Sequence, residues 1–340
     1  MIQQFRPKLA VVGAGFYGLS TALVALDSEW DVTVFESRST AMSGASQFNQ
    51  ARVHGGYHYP RSLITAMRSR YLYRRFINDF PSAIIENSLA TYLIARDSKV
   101  SSNQFRRVME VIGAPLLPLQ LQVRELVNWN TVEEGFNVEE CVFDASILRE
   151  LLIDKIESLG AKIFFDTKIF GVNEEVDFVR LDFQDNFMNQ TFDAVAICTY
   201  GFSRGFSEEI SFNSDVEAEI CEMVVVDLPQ EFSELSVTVM DGPFWSVTPF
   251  PIRNGHILSS VRHTPHQRFA EPEAANKHLV SQLEMKTRGR LMLLGAAKHL
   301  PIMRDLPIRS SLWGVKVVPS KRDHSDGRPI MVKKGKRVIS

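Results

Sequence analysis

The sequence predicts an α/β fold (α+β in its two-domain layout): a discontinuous parallel-sheet unit interrupted by a β-rich second unit. Three observations carry this expectation. An apolar run, Leu9-Ala10-Val11-Val12, enters Gly13-Ala14-Gly15-Phe16-Tyr17-Gly18 and leaves it as the helix-forming run Leu19 to Leu26. A second apolar run, Val32-Thr33-Val34-Phe35, then ends in Glu36. The chain does not continue as β-α units but passes into short strands and loops, Ala90 to Val142, and a mostly β stretch, Glu217 to Arg262. Between these, Phe192-Asp193-Ala194-Val195-Ala196-Ile197 reads as a buried strand closing in the turn Cys198-Thr199-Tyr200-Gly201. The first unit is expected over 1–85, 143–210 and 305–340, and the second over 86–142 and 211–304.

Each part of the opening segment has a physical task. Gly13 permits a tight turn, Gly15 lets the backbone approach a pyrophosphate, and Gly18 lets helix and strand pack closely. The helix N-terminus offers free N–H groups and partial positive charge to that pyrophosphate. Glu36, about twenty residues on, can accept from a ribose diol. Strand, glycines, helix, strand and terminal acid in this order are far more specific than the glycine spacing alone. They describe a Rossmann-like dinucleotide-binding unit.

The loop Ser37 to Gln50 is small and polar, with Ser43-Gly44-Ala45-Ser46 suited to lie along phosphates. Asn49 to Arg61 is too rich in Gly, His and Tyr for a plain strand. A helix follows from Ser62 to about Phe80, with Arg68, Arg70, Arg74 and Arg75 on solvated faces. Asp144 reads as the N-cap of an amphipathic helix through Leu148, Leu151, Leu152 and Ile156 to Leu159, ended by Gly160. Ile163-Phe164-Phe165 reads as a strand, and Phe178 to Phe183 with Gln190 to Phe192 as a hairpin. A long helical segment is expected over Pro272 to His299, then a strand from Leu312 to Val318 and a hairpin from Pro329 to Ile339. Lys333-Lys334-Gly335-Lys336-Arg337 forms its solvated tip.

The chain has 340 residues, 45% hydrophobic and 23% charged, enough for two cores. A net charge of −2 provides no global field for nucleic acid or an anionic membrane. Cys141, Cys198 and Cys221 have no CxxC spacing, which points to a reducing, cytoplasmic compartment. No His/Cys set has zinc-like spacing, so no metal is expected. The run Leu9 to Leu26 is read as neither leader nor membrane span, since its glycines keep fingerprint spacing and Asp27, Glu29 and Asp31 follow. The expected partner is a small-molecule substrate, with no nucleic acid and no membrane; oligomeric state is left open.

The stretches Val11 to Ser20, Glu36, Ser43 to Ser46, Phe143-Asp144 and Asp193 to Gly201 together resemble the FAD-dependent oxidoreductases of the D-amino-acid oxidase and glycine oxidase superfamily. Asn49 to Arg61, Met240-Asp241-Gly242-Pro243-Phe244 and Asp326 to Ile330 look like a bacterial branch of these enzymes. The resemblance implies extended FAD, held by Gly13, Gly15, Phe16, Tyr17, Gly18, Glu36, Ser37, Arg38, Ser43, Ser46, Gln50, Thr199 and Gly201. It implies hydride transfer to flavin from a C–N or C–O bond of a small polar metabolite, with His54, Tyr57 and Lys316 as catalytic candidates. His54 is also a candidate for covalent flavin attachment. Arg253, Arg262, His263 and His266 can face substrate or be strand-end charges, and Asp241 reads as a turn former.

Two features depart from the family pattern. Gly314-Val315-Lys316-Val317 places lysine where Gly-x-Arg-Pro puts an arginine, and lysine is a point charge without the bidentate fork. The stretch after Ile330 is also short for the strand, turn and helix that cap the flavin in the family, so a loosely held cofactor is expected. The alternatives are an NAD(P)-linked dehydrogenase and a non-catalytic FAD-binding protein.

Overall fold

The computed structural model describes residues 5–86, 89–183, 190–202, 206, 210–211, 216–282, 285–320 and 330–340. Strand β1 (Lys8–Val12) runs into helix α1 (Phe16–Asp27), which crosses over to the parallel strand β2 (Asp31–Phe35). These belong to a five-stranded parallel sheet ordered Val338–Ile339, Ala194–Ile197, β1, β2, Lys162–Phe164. β1 and β2 are apolar almost without interruption because both faces of the sheet are covered. On one face, Leu19 and Ala22 of α1 pack with Leu148, Leu152 and Ile156 of helix Ala145–Ser158. The Asp144 carboxylate caps that helix, accepting from Ser146 N–H at 2.7 Å and Ile147 N–H at 3.2 Å. On the other face lies an antiparallel sheet of Ile169–Glu174, Val179–Phe183 and Thr191–Phe192. Phe35 meets Phe183 and Phe192 there edge-on.

The second unit is built on a nine-stranded sheet. Its strand Val216–Val226 pairs with three others, including Ile308–Pro319 along nearly its whole length. The stretch 305–340, expected in the first unit, is therefore split. Ile308–Pro319 joins the second unit's sheet, because Leu312 and Val315 find apolar partners there, and only Val338–Ile339 returns to the parallel sheet. The solvated tip forms as expected: Lys333 and Ser340 exchange backbone hydrogen bonds, and Gly335 N–H donates to Val338 O at 2.8 Å. The Asp326 to Pro329 motif lies outside the described residues.

Two other expectations are corrected. The stretch Ala90 to Val142 contains a helix, Ser102–Val111, started by a capping box in which Ser101 and Gln104 bond reciprocally. The long helix expected over Pro272 to His299 is two helices, Pro272–Ser281 and Gly289–Ala297. The second begins where Arg288 N–H donates at 2.7 Å to the buried carboxylate of Glu222, a partner far away in sequence. A fourth sheet, Arg52–Val53, Cys141–Phe143 and Ile84–Ile85, bridges the two units.

Two buried histidines make this fold sensitive to acid. His299 Nδ1 lies 3.2 Å from Trp245 Nε1. An indole N–H only donates, so Nδ1 must stay unprotonated. Burial, with the charge of Lys298, holds His299 down at about 4 from 6.5, and burial does the same to His256. The folded value lies below the unfolded one, so the unfolded chain binds protons first. Stability is complete above pH 6.5 and is lost as pH falls toward 4, by up to about 3 kcal/mol per histidine at 1.36 kcal/mol per unit. Urea midpoints measured from pH 7 to pH 4 should fall, and more shallowly in His299→Gln, whose amide oxygen can still accept from Trp245. A parallel fall in both proteins would remove His299 from this account.

Candidate active site

The glycine turn between β1 and α1 is packed against its surroundings on two sides. A Cβ on Gly13 would stand 2.6 Å from Cys198 O, and Gly13 has φ +100°, so a side chain is excluded by space and by backbone. A Cβ on Gly18 would stand 1.8 Å from Gly13 O. Gly15 differs. Its backbone is ordinary, and a Cβ would meet only Ser46 Oγ at 3.4 Å. Gly15 is also the N-cap of α1 and has no side chain to satisfy the helix's first N–H groups. That leaves the backbone at the start of α1 open to an anionic group.

The turn is held from β2 and from the loop that follows it. Glu36 accepts from Ala14 N–H at 2.8 Å, from Arg38 N–H at 3.0 Å and from Ser37 Oγ at 3.3 Å. A carboxylate has about four acceptor positions, so one remains for a ribose hydroxyl. Ser46 Oγ accepts from Phe16 N–H at 3.0 Å and ties the small-residue loop over the helix end. The Ser43 hydroxyl instead closes its own loop on Thr40 O at 2.7 Å. Tyr17 is exposed at the same end of α1. The turn carrying Thr199 is brought against Gly13.

Past the loop, the chain turns at Ala51, with φ +52°, into the short strand Arg52–Val53 of the bridging sheet and brings Gln50, Arg52 and His54 to polar partners. Gln50 bonds Ser246 at 2.9 and 3.1 Å. Arg52 donates from Nη1 to Thr238 Oγ1 at 2.6 Å. His54 Nδ1 stands 3.6 Å from Glu140 Oε1. That approach is too long for a hydrogen bond. The imidazole is one-third exposed, while the Glu140 carboxylate is buried. Glu140 also accepts from Gly55 N–H at 2.9 Å and Tyr92 Oη at 3.1 and 3.2 Å, with Arg52 Nε at 3.8 Å. Burial pushes its carboxyl up, but His54, Arg52 and the Gly55 N–H outweigh this and hold it below the usual range. His58 and Tyr59 lie beside His54, with ring centroids 5.0 and 5.8 Å away, and Phe244 meets His58 at 5.2 Å.

Several expected site residues sit elsewhere. Tyr57 is fully buried, donates to Pro115 O at 2.8 Å and accepts from Glu139 N–H, so it packs the core and faces no substrate. Gln50 spans to the nine-stranded sheet rather than the phosphate cradle. Gly201 serves packing, since a Cβ there would strike Val317 at 2.6 Å. Lys316 is exposed on the strand face that carries Gly314, which lies flush under the Phe48 ring. His266 is bonded to Glu222 at 2.9 Å, and Asp241 pairs with Arg61 at 2.6 Å. Sequence reasoning missed Glu140 and Arg52. The alternation Gln50, Arg52, His54 was the available signal for Arg52, while nothing local marks Glu140.

A family model described as FAD dependent oxidoreductase (DAO) matches residues 8–338. The chain belongs to the FAD-dependent oxidoreductase family. It is an enzyme, and its cofactor is FAD, which sets aside the nicotinamide-linked alternative. This oxidoreductase is 27% identical over 304 residues to the FAD-dependent monooxygenase FPY4 of Fusarium mangiferae, spanning 86% of this chain and 75% of the relative. It is 25% identical over 303 residues to the FAD-dependent monooxygenase kojA of Aspergillus flavus, spanning 84% and 69%. In fold it is similar to glycine oxidase from Geobacillus kaustophilus, with TM-score 0.68 and 18% identity over 98% of this chain and 88% of the other. It is similar also to L-α-glycerophosphate oxidase from Mycoplasma pneumoniae, with TM-score 0.68 and 13% identity over 99% and 89%. The open space over Gly15, the α1 N-terminus and the pinned Glu36 fit the pyrophosphate and ribose of FAD.

Proposed function

We propose that this oxidoreductase removes a hydride from a C–N or C–O bond of a small polar metabolite. One observation carries the reading: a one-third-exposed imidazole, His54, faces a buried carboxylate where the bridging sheet joins the dinucleotide cradle to the second unit. When bound, FAD supplies the hydride acceptor. Gly15 and the α1 N-terminus bind the pyrophosphate, and Glu36 the ribose. His54 takes the proton that leaves nitrogen or oxygen as the hydride leaves carbon. Lys316, exposed on the second unit's sheet, offers a point charge to an anionic substrate group. Three free cysteines are consistent with a cytoplasmic enzyme. A second reading, insertion of oxygen into the substrate, is favoured by the monooxygenase descriptions of the two fungal relatives.

The test is the visible spectrum of the purified enzyme before and after anaerobic mixing with amines and hydroxy acids. Bleaching by one class identifies the bond oxidised, and ¹⁸O₂ incorporation into product under air identifies the second reading. His54→Ala should slow bleaching by about 10² to 10⁴, the usual worth of a positioned base. Lys316→Met should impair anionic substrates and leave neutral ones unchanged. Parent-like bleaching in both variants would remove these residues from the chemistry.

A further inference from the structure

Helix Leu63–Asp79 is anchored on its inner side only. Ala66 and Arg70 are buried there, with Arg70 donating to Gly113 O at 3.2 Å and to Glu139 at 2.7 Å, and Phe76 packs on Phe16 and Phe143. Its outer side exposes Leu63, Ile64, Met67, Tyr71 and Leu72, each 45 to 69% exposed. At about 100° per residue, Ile64, Met67 and Tyr71 form one stripe. Arg74 falls along one edge of that stripe, and Arg68 and Arg75 along the other. Val111, 65% exposed at the end of the neighbouring helix, extends the apolar surface across an open groove. Asp79 is the only acid on this helix, and it is paired with Arg75 at 3.3 Å. Arg68 and Arg74 have no acidic partner among the described residues.

Single exposed apolar residues need no explanation, but a contiguous set along one helix does. A second copy fits this face poorly, because a twofold contact sets arginines against arginines. We propose that Leu63–Asp79 docks the enzyme on an anionic phospholipid surface. The stripe enters the headgroup boundary, and the flanking arginines reach lipid phosphates. The helix is 17 residues long, roughly 25 Å, and lies on the surface rather than crossing it. No described helix is long and apolar enough to cross a membrane. The net charge of −2 removes a global attraction but not this local one. The inference is independent of the proposed chemistry.

The test uses the full-length FAD-loaded protein and phosphatidylcholine vesicles with and without phosphatidylglycerol. Co-sedimentation is expected only with phosphatidylglycerol, weakening as salt is added. Arg68→Ser/Arg74→Ser/Arg75→Ser should weaken it on the order of a hundredfold. Met67→Ser should weaken it as well. Tyr71→Trp should show blue-shifted emission on those vesicles, with thermal stability and flavin spectrum unchanged in all variants. Absence of binding, or equal binding to both vesicle types, overturns the proposal. A dimer in solution that Met67→Ser dissociates also overturns it and assigns the face to a second copy.

Discussion

Gly18→Ala should yield no stably folded protein, whereas Gly15→Ala should yield a folded protein that no longer retains FAD. The two glycines belong to one motif and differ in what surrounds them. At position 18 a methyl group would sit 1.8 Å from the carbonyl oxygen of Gly13, and that turn, tied by the Gly13 N–H to Phe35 O at 2.7 Å, cannot move aside. The cost exceeds about 3 kcal/mol, beyond ordinary overpacking, and falls on the contact between α1 and β1. At position 15 the same methyl meets one hydroxyl at ordinary contact distance and an ordinary backbone, so the apoprotein is untouched. It occupies the space over the helix N-terminus where the pyrophosphate lies. Circular dichroism and urea unfolding should match the parent for Gly15→Ala, while FAD fluorescence titration shows weakened binding. Full FAD retention by Gly15→Ala, or a stable Gly18→Ala protein, would move the cradle elsewhere.

What could be read from the sequence was local. The strand, turn, helix and acid of Leu9 to Glu36 follow from spacing, and Asp144 announces its helix by capping it. The capping box at Ser101 and Gln104 was equally local, but the surrounding strand-like pattern masked it. What could not be read depends on distant partners. The break before Gly289 exists because Glu222 accepts from Arg288, and Ile308–Pro319 changes sheets because Val216–Val226 offers a whole ladder of hydrogen bonds. Tyr57 reads as a pocket aromatic beside His54, yet the turn at Gly56, with φ +99°, directs it into the second unit's core. In the candidate site, the glycine turn was legible because its spacing is local. His54 was legible by its type, but the Glu140 and Arg52 that surround it were not.

Those two residues carry the last expectation. Glu140→Ala should destabilise the protein by about 3 to 5 kcal/mol, and Arg52→Met by a comparable amount, because either leaves a buried charge without its counter-charge. Glu140→Ala also strands the Gly55 N–H and the Tyr92 hydroxyl, while Arg52 Nη2 already lacks a hydrogen-bond partner. The pH dependence has a definite sign. The Glu140 carboxyl is held below its usual range in the fold, so its contribution is complete above that range and is lost as pH falls through the folded value. The double variant Arg52→Met/Glu140→Leu should recover part of the stability, since replacing both partners with apolar groups removes the uncompensated charge while the Gly55 N–H and Tyr92 hydroxyl still lack their acceptor. A double-mutant cycle of urea midpoints reads this coupling directly, and singles that simply add would refute it. Activity should not follow stability. In the double variant His54 faces leucine where it faced a carboxylate, so flavin reduction stays slow in a protein that is otherwise sound. A buried ion pair kept only for the fold would be dispensable once repacked, whereas one kept for His54 is not.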